Sequence, residues 1–112
     1  MSDQQIEQEI QAKGLTAPRV TPQRINDVIA SEHYFTAAEG VRILPQDSPL
    51  HLLTFCVLVL ENGFTVTGES ACASPENFDP ELGRKIAREN AVNKIWALEG
   101  YLLKQALHEG AL

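Results

Sequence analysis

The sequence predicts an α+β protein in which an antiparallel, β-hairpin-based sheet packs on a long C-terminal helix, preceded by short N-terminal helices. Two apolar, β-branched segments flank Asn62-Gly63, which is typical of a hairpin. A helical pattern begins at Asp79-Pro80 and continues to about His108. The length of 112 residues suits one domain, and we divide the chain into an N-terminal extension with a short helix, residues 1–20, and a single α+β domain, residues 21–112.

The N-terminal helix is predicted over residues 3–13. Its large apolar residues, Ile6 and Ile10, are four positions apart and therefore lie on one stripe, and Gly14 ends the helix. A second short helix is expected from Thr21-Pro22 through residue 32, because Thr suits the N-cap and Pro the first helical position. Its apolar residues recur at helical spacing.

The segment that follows predicts a strand and then a loop. His33 to Thr36 has the composition of a strand, whereas residues 37–49 contain Gly40, Pro45 and Pro49 and read as a loop. Within that loop we predict at most a short strand at residues 41–44.

The hairpin is the strongest local signal. If Asn62-Gly63 alone forms a type I′ turn, Glu61 lies opposite Phe64 and Val59 opposite Val66. One face is then the expected core, formed by Leu53, Phe55, Val57, Val59, Phe64 and Val66. The other face is half apolar, so we expect another part of the chain or another subunit to cover it. The same register separates Cys56 from Cys72 and favours two reduced thiols over a disulfide.

The long helix begins with Asp79 as its N-cap. One stripe carries small residues early and large residues later: Gly83, Ala87, Ala91, Ile95, Leu98 and Leu102. The small residues allow a close approach to the sheet. Gly100 predicts a kink or another close contact.

Charge limits the classes of partner. Fifteen acidic and nine basic residues give a net charge of −6, which argues against long nucleic acid. The acidity belongs to residues 1–79, while within residues 84–94 four basic residues accompany one acidic residue. No apolar segment is long enough to span a membrane, and the N-terminus is too polar for a secretory signal, so we expect a cytoplasmic protein without a membrane partner.

Catalytic signals are few. The sequence contains no GxSxG, HExxH, CxxC, Walker or GxGxxG motif, and its three histidines are scattered. We therefore expect no enzyme activity, no catalytic residue, no cofactor and no metal site.

A small anion site is predicted at the start of the long helix. Arg84 and Arg88 are four residues apart and project from one side, near the free N–H groups of the helix N-terminus. Two guanidinium groups suit a phosphate or pyrophosphate. The alternative is a solvated basic face that pairs with Glu81 and Glu89.

Three further residues are candidates for contact with a base or sugar. Phe64 offers stacking, Thr67 a hydroxyl and Asn77 an amide. Each also has a structural interpretation, respectively as a core residue, a residue that fills a strand face and a turn former.

The segments NGFTVTGESA, NFDPELGRKIA and KIWALEGYLL together resemble a family of small tailed-phage proteins of unassigned function, over about residues 50–107. A more remote similarity is to phage anti-Thoeris sponge proteins, which sequester cyclic ADP-ribose-like signals and can bind cyclic oligonucleotides. It depends on a hairpin followed by a long helix with an Arg pair near its start, here Arg84 and Arg88. The resemblance implies a phage accessory protein in the host cytoplasm, and a homo-oligomer, either a dimer or a hexamer.

Three functional hypotheses follow. The first is an anti-defence protein that binds and sequesters, without catalysis, a small phosphate-containing nucleotide ligand such as a cyclic ADP-ribose isomer or cyclic oligonucleotide. The second is an acidic protein that inhibits a host enzyme or mimics nucleic acid. The third is a double-stranded RNA-binding module, suggested by GRKIARENA but opposed by the charge of −6 and by the missing first helix and strand of that fold.

Overall fold

The structure, a computed structural model, describes residues 2–42 and 44–111. The regular elements in chain order are α1 Asp3–Ala12, α2 Pro22–Asp27, β1 Ile29–Thr36, α3 Ala37–Gly40, β2 Leu53–Leu60, β3 Thr65–Ala71 and α4 Pro80–His108. Short 3₁₀ turns cover Pro49–Leu52 and Pro75–Asn77. The predicted α+β class is confirmed, as are the first helix and the extent of the last.

The chain forms two compact units, residues 1–28 with 95–112, and residues 29–94. In the first unit, the hydroxyl of Ser2 accepts a hydrogen bond from the N–H of Gln5, whose side chain accepts one from the N–H of Ser2. This capping box begins α1. Two hydrogen bonds of 2.5 and 2.6 Å join Arg19 to Glu7 and hold the pKa of that carboxyl at about 2.

Helix α2 is shorter than predicted. It begins at Pro22, behind the Thr21 cap, but ends at Asp27, and β1 starts at Ile29. Residues 29–32 have helical spacing, yet they form a strand, because Ile29, Ser31 and Glu32 pair with β2 and the register shifts at Ala30. Such tertiary pairing overrides local preference. Residues 37–40 form one helical turn instead of loop. The strand predicted at 41–44 includes Ile43, which lies outside the described residues, and its other three positions form no strand.

The second unit contains an antiparallel three-stranded sheet in the order β1-β2-β3. The predicted hairpin is present, but its register is one residue different. Leu58 pairs with Val66 and Val59 with Thr65, because the loop has three residues and not two. The N–H of Gly63 donates to the carbonyl of Leu60 at 2.8 Å, and Gly63 has φ +88°. This is a type I turn followed by a left-handed glycine, the usual three-residue hairpin loop.

The predicted core face is therefore wrong for β2, whereas Val66 on β3 is buried as predicted. The buried side of β2 carries the alternate residues Thr54, Cys56, Leu58 and Leu60, and Val66 lies beside them on β3. The face expected to be the core is only partly covered, since Leu53, Phe55, Val57 and Val59 are half-buried and Phe64 is exposed. A register shift of one residue between β2 and β3 moves the side chains of one strand to the opposite face relative to the other strand. The incorrect loop length therefore placed the wrong residues of β2 on the same face as Val66.

Helix α4 contacts the sheet through small residues, as predicted. A Cβ on Gly68 would lie 2.2 Å from the carbonyl oxygen of Ala87 and 2.3 Å from the nitrogen of Ala91. Backbone therefore touches backbone at this point. The side-chain amide of Asn90 adds a hydrogen bond of 2.9 Å to the carbonyl of Glu69.

The apolar stripe of α4 is buried only in its first part. Ala87, Ala91 and Ile95 are fully buried, whereas Leu98 and Leu102 are 40% and 58% exposed. Gly100 marks no close contact, because a Cβ there would meet nothing within 4 Å.

The two cysteines are free thiols, Cys56 buried and Cys72 half-buried. The Cys72 thiol donates to the carbonyl of Ser74 at 3.2 Å. None of the helices within residues 2–42 and 44–111 combines the length and the apolarity that a membrane crossing requires.

Candidate functional site

A cavity of about 180 Å³ lies in the second unit, between β1, β2 and the start of α4. Its lining combines aromatic, hydroxyl and charged side chains: Tyr34, Phe35, Thr36, Glu39, Thr54, Phe78, Pro80 and Arg84. Apolar walls with a few convergent polar groups are the usual composition of a ligand site. This cavity, called the Arg84 cavity below, is the candidate site.

The N–H groups at the start of α4 are already used. Pro80 has none, and the Asp79 carboxylate accepts from Glu81 at 2.9 Å and from Leu82 at 3.3 Å. The N–H of Gly83 donates to the carbonyl of Asp79. The prediction that free backbone N–H groups help to hold an anion is therefore wrong, because the N-cap that begins the helix also saturates it. An anion at this end depends on side chains.

The two arginines of the predicted pair have different surroundings. Arg88 donates to both oxygens of Glu32, at 2.9 and 3.1 Å. Arg84 is exposed, lines the cavity and makes no ion pair with any residue in the described part of the chain. The other interpretation of the sequence was that this basic segment pairs with Glu81 and Glu89. It applies only to Lys85, whose Nζ lies 3.4 Å from Oε1 of Glu81. Arg84 is the guanidinium with its charge available to a ligand.

Arg88 and Glu32 also position Tyr34. The Tyr34 hydroxyl donates to Oε1 of Glu32 at 2.7 Å, so Arg88, Glu32 and Tyr34 form one hydrogen-bonded chain that ends at the cavity wall. The hydrogen bond from Arg88 lowers the pKa of Glu32, and burial, together with the bond to Glu32, raises the pKa of Tyr34. Tyr34 is therefore a neutral phenol whose oxygen remains able to accept a hydrogen bond.

Burial also raises the pKa of the Cys56 thiol. In the sheet, Cys56 lies opposite Gly68 on β3 and opposite Tyr34 on β1. A buried, protonated thiol is a weak nucleophile. Cys56 is thus held in an unreactive form.

Thr54 is the one polar residue of the buried face of β2, and it lines the cavity. It is 3% exposed, and its Oγ1 has no hydrogen-bond partner in the described structure. This oxygen lies toward α4, 3.0 Å from the position that a Cβ on Gly83 would take. Glycine leaves space for the hydroxyl, and the neighbouring helical residues Pro80 and Arg84 line the cavity.

A wider, more open cavity of about 430 Å³ shares Thr36, Glu39 and Phe78 with the Arg84 cavity. Its remaining lining residues are Ala38, His51, Leu52 and Pro75. Phe78 is half-buried and forms part of both walls. The two cavities therefore lie next to each other and share part of their lining.

The other candidate residues lie in different places. Thr67 projects from the sheet face opposite to the one that contacts α4, because its neighbour Gly68 faces the helix. Phe64 is 56% exposed at the hairpin loop, and Asn77 is exposed at the end of the second 3₁₀ turn, next to Phe78. The structure thus places only Asn77 near the Arg84 cavity, and a ligand role for these three residues stays a prediction.

Sequence reasoning missed Tyr34, Glu39 and Thr54. A signal for Thr54 was present, because a single hydroxyl interrupts the otherwise apolar strand LTFCVLVL. Tyr34 and Glu39 carry no such signal, since their position at the cavity depends on how β1 pairs and on the unpredicted turn α3.

Within residues 2–42 and 44–111, no three His, Cys, Asp or Glu side chains come together as metal ligands. No curated protein and no solved structure matches the chain significantly. The model of the phage protein (N4 Gp49/phage Sf6 gene 66) family matches residues 20–107, which confirms the resemblance noted in the sequence. That match covers most of the chain, and the protein therefore belongs to this phage protein family.

Proposed function

We propose that this phage protein binds and sequesters a small nucleotide-derived signal in the host cytoplasm, without catalysis. The observation that carries the proposal is Arg84, an exposed guanidinium without an ion pair in the described chain, at the wall of a partly aromatic cavity. Guanidinium groups bind phosphate oxygens through paired hydrogen bonds, which is the interaction that a phosphate-containing ligand requires.

The remaining lining supports a ligand with more than a phosphate. Phe78 offers an aromatic surface for a base, and Glu39 offers a carboxylate that accepts from N–H or O–H groups. A simple anion would be repelled by Glu39, whereas a nucleotide carries both an anionic end and hydrogen-bond donors. The combination favours a nucleotide over a free inorganic anion.

Arg88 has a supporting place in this proposal. Its guanidinium binds Glu32, and the pair fixes Tyr34 at the cavity wall. We therefore assign phosphate contact to Arg84 and positioning to Arg88. We also propose a homo-oligomer, because Phe35, on the sheet face that carries Phe55 and Val57, is 38% exposed.

Isothermal calorimetry with a panel of cyclic ADP-ribose isomers and cyclic di- and trinucleotides tests the proposal. We expect one ligand class to bind the intact protein and Arg84→Gln to weaken it at least tenfold, the effect of a lost charge-assisted hydrogen bond of about 1.5–3 kcal/mol. Lys85→Gln is the matched control, because it removes one charge from the same helical turn and Lys85 does not line the cavity. Absence of binding by the intact protein across the panel contradicts the proposal, and so does equal weakening by both variants.

A further inference from the structure

We propose that a second copy of this chain covers the open face of the sheet, which consists of Leu53, Phe55, Val57, Val59 and the residues opposite them on β1 and β3. In this dimer the two open faces pack against each other, with the twofold axis parallel to β2. The three strands all belong to the unit of residues 29–94. The inference specifies the interface of the homo-oligomer proposed above, and it does not depend on which ligand binds.

The middle strand, β2, is apolar on both sides. One side is buried, and the other is formed by the four half-buried residues of the open face. An antiparallel sheet that keeps one face in water usually alternates apolar and polar residues, and β2 does not. Phe35 on β1 stacks on Phe55 at 5.4 Å and is still 38% exposed. The open face therefore has the composition of a covered surface.

Charge limits what can cover this face. The chain contains fifteen acidic and nine basic residues, but the open side of the three strands carries only one of them, Glu69, and one histidine, His33. Few charges together with exposed aromatic rings are typical of the centre of a protein interface. A nucleic acid or a strongly charged protein would find almost no opposite charge here. A second copy brings an equally uncharged, apolar face.

The two edges of the open face carry complementary polar groups. Ser31 and His33 lie on β1, whereas Thr67 and Glu69 lie on β3, and Val57 separates His33 from Thr67. A twofold axis parallel to β2 places β1 of one copy over β3 of the other. His33 would then lie opposite Thr67 of the second copy and beside its Glu69, whose carboxylate can accept a hydrogen bond from the imidazole.

The other possible axis runs across the strands. It would place β1 over β1 and β3 over β3, so that the carboxylates of both copies lie along one edge of the interface. Like charges on facing strands are unfavourable, and the axis parallel to β2 avoids them. The charges of His33 and Glu69 therefore distinguish the two arrangements in an experiment.

The size of the face predicts a weak dimer. Three strands of seven or eight residues, about 4.8 Å apart, form a face of roughly 400 Å² in projection. Specific interfaces bury about 800 Å² per partner. We therefore expect the intact chain to dissociate in the micromolar range, where sedimentation equilibrium can measure changes in affinity.

Sedimentation equilibrium of three variants tests the interface. We expect His33→Glu to weaken the dimer at least fivefold, because each of two symmetric contacts then brings two carboxylates together. Adding Glu69→Lys to His33→Glu should restore the affinity of the intact chain, because the contact again joins opposite charges. Adding Glu61→Lys instead is the matched control, since Glu61 is exposed in the hairpin loop and the change in net charge is the same.

Two results would overturn the arrangement. One is an unchanged dimer in His33→Glu, and the other is equal restoration by Glu69→Lys and Glu61→Lys. His33 and Glu69 are both exposed, so circular dichroism should show an unchanged fold in every variant. A chain that remains monomeric up to near-millimolar concentration would overturn the dimer itself.

Failure of this inference is distinguishable from failure of the proposed function. If the chain associates and His33→Glu has no effect, the open face is not the interface and the homo-oligomer stands. If the chain is monomeric and still binds a cyclic nucleotide, the dimer is wrong and sequestration stands. If the charge exchange restores the dimer and no cyclic nucleotide binds, the interface stands and the proposed signal is wrong.

Discussion

At Gly68, the backbones of β3 and α4 approach each other closely. A Cβ there would lie 2.2 Å from one backbone atom of α4 and 2.3 Å from another, and backbone cannot move aside as a flexible side chain can. We expect Gly68→Ala to destabilise the protein by about 3 kcal/mol or more, at the upper end of overpacking effects. Urea unfolding followed by circular dichroism measures the change.

Gly100→Ala is the matched control for that measurement. Its Cβ would meet nothing within 4 Å, so alanine should stabilise the interior of α4 by about 0.5–1 kcal/mol through its better helix propensity. Equal effects at Gly68 and Gly100 would contradict the close approach.

Thr54 shows how a single residue reports on a site. In the strand it occupies a core position, and its buried hydroxyl has no hydrogen-bond partner in the described structure. Its chemistry was visible in the sequence, but its significance depended on knowing which face of β2 is buried. Arg84 was found from spacing alone, because charge and helix position are local properties. The difference between Arg84 and Arg88 was not predictable, since Glu32 reaches Arg88 only after the chain has folded.

At the scale of elements, the pair between Glu32 on β1 and Arg88 on α4 connects the edge strand to the helix. Both side chains are about one third exposed, so we expect a coupling of only about 0.5–1 kcal/mol at neutral pH. Arg88 lowers the pKa of Glu32 below its ordinary value of 4.5. The coupling should therefore be fully present above pH 4.5 and be lost as the pH falls through the lower pKa of the folded state.

A double-mutant cycle with Glu32→Gln and Arg88→Gln, measured by urea unfolding at pH 7 and pH 3, checks this sign. Glu81 and Lys85 provide the control cycle, because that pair lies on one helix and is 71% and 68% exposed. A Glu32–Arg88 coupling that stays constant between the two pH values would rule out the assigned role of the carboxylate.

Helix α4 and the hairpin differ in how far their sequences determine them. The limits of α4 follow from Asp79-Pro80 and Gly110, which act through local backbone geometry. The hairpin is equally well signalled, but Asn62-Gly63 fits a two-residue and a three-residue loop alike. The choice depends on which face of β2 meets α4, and no local signal carries that information. The boundary between α2 and β1 was also misplaced, because the start of β1 depends on its pairing with β2 and not on a local signal.

At the scale of the whole molecule, the exposed sheet face and the exposed apolar residues of α4 predict self-association. We expect native mass spectrometry to show a homo-oligomer, a dimer or a hexamer, because Phe35 stacks on Phe55 at 5.4 Å on a face that remains partly open. Phe35→Ser should shift the population toward the monomer.

Leu82→Ser is the control for this experiment, since Leu82 is 54% exposed on α4 and not on the sheet. A monomeric intact protein contradicts self-association. Dissociation by Leu82→Ser, with Phe35→Ser still associated, would assign the interface to the helix and not to the sheet.

The three-residue loop of the hairpin also determines how the chain tolerates a change in length. Deletion of Glu61 would leave Asn62-Gly63 alone between Leu60 and Phe64, which is the two-residue loop that this dipeptide prefers. Leu60 would still meet Phe64, and every pair below it, down to Leu53 with Ala71, would be unchanged. Relatives that are one residue shorter at this turn can therefore keep the same buried residues. In such a relative, the residues of β3 would have numbers one lower than those of their equivalents in this chain.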